Sequence, residues 1–114
     1  MKNHEDMSDS QIAQKVFFFV SGNLCPNGGL AHISSDGFFF FDEKNIKRKF
    51  DPCNNPYDAW PIIVENHIAV VPYQYTIPQA WPTAFGAASK FTTEDGNPLR
   101  AAMIVFLKMN EGKL

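Results

Sequence analysis

The sequence predicts an α+β domain, a small antiparallel β-sheet packed with about three helices at approximately 9–19, 56–65 and 98–109. Three observations carry that prediction. Asn55-Pro56 and Asn97-Pro98 are twin helix openings: an asparagine that can cap, then a proline whose missing N–H is not needed at the first helical position. Phe38–Phe41 and His67–Val71 are short aromatic or β-branched runs beside turn residues, the pattern of strands. The chain lacks the strand–helix–strand repeat of roughly 30 residues that a parallel sheet requires.

Residues 1–7 read as a disordered tail and 8–114 as a single domain. Ser8 and Gln11 have capping-box spacing, and Asp9 stands where the helix dipole favours an anion. Ile12, Val16 and Phe19 or Val20 share one face, so the first helix runs from about 9 to 19. Its end, Phe17 to Val20, suits a strand equally well. Residues 21–36 are loop-rich, with a short strand from Leu30 to Ile33. Asp36-Gly37 then turns the chain into the strand Phe38–Phe41. Strand side chains alternate, so either both faces are covered or one phenylalanine pair is exposed and marks an interface. Asp42 to Lys49 is charged and reads as a loop or a hairpin end.

The second helix carries Asp58 at its third position and an internal Pro61, which costs one backbone hydrogen bond. Its Ala59, Trp60, Ile63 face is expected to pack inward. His67 to Val71 is a strand ended by Pro72. In residues 73–93, Tyr75, Ile77, Trp81 and Phe85 are interrupted by Pro78, Pro82 and Gly86, which suits one or two strands, with the prolines confining them to edges or strand ends. Asp95-Gly96 turns the chain into the last helix. There Ala101 to Leu107 is apolar all round, the mark of a central helix, with Arg100 and Lys108 as its narrow polar edge.

A chain of 114 residues with 45% apolar content is enough for one buried core. The net charge of −2 gives no global basic field for nucleic acid, although a locally basic patch is compatible with it. Met1 to Ser10 lacks the apolar stretch of a signal peptide, and Val16 to Val20 is far too short to span a bilayer. A cytoplasmic protein with two reduced thiols, Cys25 and Cys53, is the expectation.

The segment Phe50-Asp51-Pro52-Cys53-Asn54-Asn55-Pro56, continuing from Asp58 through Ala59-Trp60-Pro61-Ile62-Ile63-Val64-Glu65-Asn66, resembles the central motif of the small NinX-like proteins of lambda-like phages and prophages of enteric bacteria. Asn97-Pro98-Leu99-Arg100-Ala101-Ala102-Met103-Ile104-Val105-Phe106-Leu107 resembles their C-terminal motif, and Met7–Ile12 is similar to their opening helix. The family also resembles a broader set of phage domains described as an α-β-α sandwich. The resemblance implies a phage accessory protein inside an infected bacterium and brings no activity or catalytic residue with it. Residues 20–46 and 72–93 lie outside the matched motifs, which makes them the place for loop-borne specificity.

Function classes can be narrowed from the residues. His4, His32 and His67 have no ligand spacing to one another or to cysteine. Asp58 is accounted for by capping and Glu65 by a solvent-facing position, which leaves Asp51 without an acid/base partner. Gly28-Gly29 lacks the strand and helix of a phosphate loop. No enzyme is therefore expected, and no catalytic, cofactor-binding or metal-ligating residue is assigned.

Lys44, Lys47, Arg48 and Lys49 neighbour a phenylalanine block, and cations interleaved with aromatics can grip single strands or phosphates. Trp81, between prolines, is the expected exposed anchor, while Trp60 is expected in the core. Candidate contact residues are Phe39, Phe41, Lys47, Arg48, Lys49 and Trp81. The leading expectation is a non-enzymatic protein that binds a host or phage macromolecule, with no cofactor and no membrane. A nucleotide-like small ligand held by Trp60 or Trp81 with Arg48 or Arg100, weak single-strand binding, and a homodimer through Phe38–Phe41 stay open.

Overall fold

The structure, a computed structural model, describes the backbone of residues 4–24 and 31–111, and their side chains except at 22–24. A 3-10 turn, His4–Asp6, precedes α1 (Asp9–Leu24), β1 (Ala31–Ser34), β2 (Gly37–Phe41) and β3 (Lys47–Lys49). Then come α2 (Pro56–Glu65), β4 (Ile68–Val71), β5 (Gln79–Pro82), β6 (Thr93–Glu94) and α3 (Pro98–Glu111). The strands form two antiparallel sheets of three, β1–β2–β3 and β4–β5–β6, each a meander of sequence neighbours. The fold is α+β, with its strands divided between two small sheets rather than gathered in one sheet between helical layers.

Local chemistry sets the helix starts. Ser8 Oγ accepts from the Gln11 N–H at 3.1 Å, while Gln11 Oε1 accepts from the Ser8 N–H at 2.9 Å, closing the capping box. Asn55 Oδ1 accepts from the Tyr57 N–H at 3.0 Å. Asn97 Oδ1 accepts from the Leu99 and Arg100 N–H groups at 3.0 and 3.3 Å. Pro61 lies inside α2 without ending it.

The core is built around α3. Every residue from Ala101 to Leu107 is buried, and α3 touches α1, α2 and each strand of the second sheet. α1 also packs on the first sheet, burying Ile12, Ala13, Val16 and Phe17. There Phe17 meets Phe38, Phe40 and Phe50, with ring centroids 5.3, 5.0 and 5.9 Å away.

Four expectations change. α1 continues to Leu24, so Phe17–Val20 is helical: packing of Phe17 against β2 overrides the β propensity of the run. Lys47–Lys49 is a strand and not a loop. Asp42 Oδ1 accepts from the Lys44 and Ile46 N–H groups at 2.9 and 3.0 Å, and Asn45 turns the chain with a φ of 62°. Trp60 points to solvent, because α2 buries Ala59, Ile62 and Ile63 instead. Residues His4 to Met7, read from sequence as part of a tail, dock against α3: Lys108 Nζ pairs with Glu5, and His4 with Glu111. Cys25 and the Gly28-Gly29 pair lie outside the described residues.

Candidate binding surfaces

The first surface is the outer face of the β1–β2–β3 sheet. Phe38 and Phe40 point inward and are buried, so alternation turns Phe39 and Phe41 outward, where both are half-buried. Register places His32 and Lys49 on either side of Phe39, and Lys47 opposite Phe41. The His32 ring lies nearly parallel to Phe39 and Phe41, at interplanar angles of 28° and 30° and centroid distances of 6.1 and 6.4 Å. Lys47 Nζ sits 4.5 Å above the Phe39 ring, within cation–π range. Lys49 leans across the β1–β2 turn; a Cβ on Gly37, whose φ is 132°, would stand 2.9 Å from its Cε.

Arg48 behaves differently from its neighbours. It opposes Phe40 in the register and donates from Nε to Asp42 Oδ2 at 2.6 Å. That bond, helped by the Ile46 N–H, holds the Asp42 carboxyl below its ordinary value. Arg48 therefore secures the hairpin end, and its charge is matched. Four of the five sequence-predicted residues near the phenylalanine block, Phe39, Phe41, Lys47 and Lys49, thus come together. His32 completes the face and was missed, although its place opposite Phe39 follows from a two-residue turn at Ser35-Asp36.

The second surface is the outward side of α2. Tyr57, Trp60 and Val64 follow one another at helical spacing and are 90%, 62% and 52% exposed. Pro61 is exposed beside them. A shallow groove of about 300 Å³ runs alongside, lined by Trp60, Ile63, Val64, His67, Ile68, Val70 and Thr83.

Trp81 belongs to neither surface. It is half-buried on β5 opposite Ala69, in a regular strand rather than an irregular stretch. Arg100 is also unavailable to a small ligand beside a tryptophan: it donates to Asp95 Oδ2 at 3.0 Å and to the Met7 carbonyl at 2.6 Å, and it pairs with Asp9.

Residues 6–110 match the family described as Bacteriophage P22, NinX. The chain belongs to this NinX family. The match takes in α1, α2, α3 and both sheets, as the motifs around Asn55-Pro56 and Asn97-Pro98 led one to expect. No curated protein matches the chain.

Among the described residues of this NinX chain, no three His, Cys, Asp or Glu side chains converge to hold a metal, and no helix is long and apolar enough to cross a membrane. Asp58 accepts from the Asp51 N–H at 2.9 Å, tying the loop before α2 to its first turn. Burial pushes the Asp58 carboxyl above its usual range, and the nearby Asp51 charge adds to the shift. Cys53 is fully buried; burial pushes its thiol up to about 12, and the Asp9 carboxylate adds to the shift. The thiolate is the reactive form, so Cys53 is chemically inert in the folded protein. In a Cys25→Ser background, Ellman's reagent at neutral pH should leave Cys53 unmodified until denaturant is added. Stoichiometric labelling of the native protein within minutes would contradict this.

Proposed function

We propose that this NinX-family chain is a non-enzymatic phage accessory protein that acts by binding another protein, of host or phage, along the outward side of α2. The observation that carries this reading is the exposed series Tyr57, Trp60, Val64 beside an apolar groove. A short helix in a monomeric protein normally spends its large apolar residues inward; α2 spends Ala59, Ile62 and Ile63 there and still presents a tyrosine and a tryptophan to water. Tyrosine and tryptophan are the side chains most often found as anchors at the centre of binding interfaces. A helix with exposed residues at such spacing fits the mode in which a helix is laid into, or receives, a partner's apolar groove.

The test compares wild-type and Trp60→Asp baits in lysate from infected and uninfected bacteria. The expected result is a stoichiometric partner held by the wild type and reduced about tenfold or more by the aspartate, a loss typical of a truncated anchor. Trp60 is exposed, so the variant should keep its circular dichroism spectrum and its melting temperature. Absence of any stoichiometric partner, or equal capture by both baits, would overturn the reading.

A further inference from the structure

We propose that the outer face of β1–β2–β3 is a second binding site, which takes single-stranded nucleic acid by stacking bases on His32, Phe39 and Phe41 and drawing phosphates to Lys47 and Lys49. The site goes beyond the α2 reading and shares no residue with it.

Charge is the first argument. Six ion pairs among the described residues engage His4, Lys15, Arg48, Arg100 and Lys108. Lys44, Lys47, Lys49 and Lys90 have no carboxylate partner there, and the first three lie within six residues of one another beside the aromatic face. None of the outward positions, His32, Ser34, Phe39, Phe41, Lys47 and Lys49, is acidic. In a chain of net charge −2, Lys47 and Lys49 stand on this face without an ion-pair partner among the described residues. Lys49 also borders a hollow lined by Asp36 and Asp51, so Lys47, set over the Phe39 ring, is the stronger of the two anion contacts.

Ring geometry is the second argument. The His32 ring lies within about 30° of parallel to Phe39 and to Phe41. Near-parallel rings on an open sheet surface offer π faces to which unpaired bases can add, which is how sheet-borne aromatics hold single strands. Duplex bases are already stacked on each other and offer no such face. An acidic peptide would use the lysines but not the rings. Among the described residues the elements packed against this sheet, chiefly α1, lie on the Phe38 and Phe40 side, which leaves the outer face uncovered by them. Lys47 now covers Phe39; its flexible stem lets the ammonium swing to a phosphate as a base takes its place over the ring.

Fluorescence anisotropy with short labelled oligothymidylate, oligouridylate and a duplex of equal length tests the site. Both single strands should bind saturably at about 50 mM salt and more tightly than the duplex, with the ratio between them assigning DNA or RNA preference. Two phosphate contacts predict a slope of log K against log salt near −1.4, at about −0.7 per contact. Lys47→Gln with Lys49→Gln should flatten that slope towards zero. Phe39→Ala should weaken binding by about tenfold, within the range for one base stack. His32→Ala, which removes an exposed side chain, gives a second reading of stacking should Phe39→Ala fold poorly. Trp60→Asp should bind oligonucleotide like the wild type, so loss of the protein partner and loss of the strand are separable results. No saturable binding, a preference for duplex, equal binding of polyglutamate, or affinity unmoved by either ring variant would each overturn the proposal.

Discussion

Phe50→Ala should lower the free energy of unfolding by about 3–5 kcal/mol, the cost of emptying a large aromatic site in a packed core. Phe50 is 2% exposed and joins three parts of the chain. Its ring meets Phe17 of α1 at 5.9 Å, and Phe38 and Phe40 of β2 at 6.4 Å each. Its N–H donates to the Phe38 carbonyl at 3.0 Å, so the backbone is pinned at the same point. The hole left by alanine would be walled by rings that already hold one another, which limits how far it can collapse. Since domains of this size are stable by about 5–15 kcal/mol, the variant would lose a large share of the total. Urea denaturation followed by circular dichroism measures the loss. Phe18→Ala is the internal control: that ring is 76% exposed, and its removal should change stability by less than about 0.5 kcal/mol. Should Phe50→Ala fail to fold, Phe50→Leu should retain the fold at a smaller cost. A loss under about 1 kcal/mol for the alanine would mean that the four-ring cluster does not organise this half of the molecule.

Phe50 also shows what kind of information was legible before the structure. Features decided within a few residues of chain came through. The helix starts at Ser8, Asn55 and Asn97 are side-chain-to-backbone bonds spanning two or three positions, and each is formed. The burial of Ala101 to Leu107 follows from an apolar helix surface with no other way to leave water. Outcomes settled by a distant partner did not come through. Phe17–Val20 has strand-like composition and is helical because Phe17 fits against β2. Lys47–Lys49 carries no apolar signal at all; it is a strand because β2 offers an edge and Asp42 with Asn45 supplies the turn. α2 has large apolar residues on two sides, so its pattern could not say which side faces α3. The structure chooses Ala59, Ile62 and Ile63 and leaves Trp60 with Tyr57 and Val64.

The candidate sites divide the same way. Alternation alone separates Phe39 and Phe41 from Phe38 and Phe40, and the nearness of Lys47 and Lys49 was visible in the chain. That Arg48 would be spent on Asp42 required the hairpin geometry, whereas the place of His32 opposite Phe39 was implied by the two-residue turn at Ser35-Asp36 and went unread. Trp60 and Trp81 both depart from their expected settings for a similar reason. The residue that looked like core lies on a helix whose inner side was already filled. The residue that looked like a loop anchor sits in β5, half-covered.

Arg100→Met should cost about 2–4 kcal/mol, somewhat below the cost of breaking a fully buried ion pair because Asp9 is partly exposed. The Arg100 side chain is 13% exposed, and its guanidinium gathers three separate segments. Its Nε donates to Asp95 before α3 at 3.0 Å, one terminal nitrogen pairs with Asp9 at the start of α1, and the other donates to the carbonyls of Glu5 and Met7 at 3.1 and 2.6 Å. Methionine fills much of the same volume and supplies none of these donors. Asp9 would keep the Asn54 amide at 2.9 Å, and Asp95 the Asn97 N–H at 2.9 Å, so neither carboxylate is left bare. The Glu5 and Met7 carbonyls lose their guanidinium donor, and the first turn is then held to α3 by Lys108–Glu5 and His4–Glu111. Hydrogen exchange should consequently show two effects: a general loss of protection equal to the fall in stability, and a larger local loss at the first turn of α1. Arg100→Lys, which can reach one acceptor group at a time, should fall between wild type and methionine. Equal stability for lysine and arginine would show that charge alone holds the three segments together. A graded series would show that the planar fork does, since only a fork can satisfy a carboxylate on one side and two carbonyls on the other.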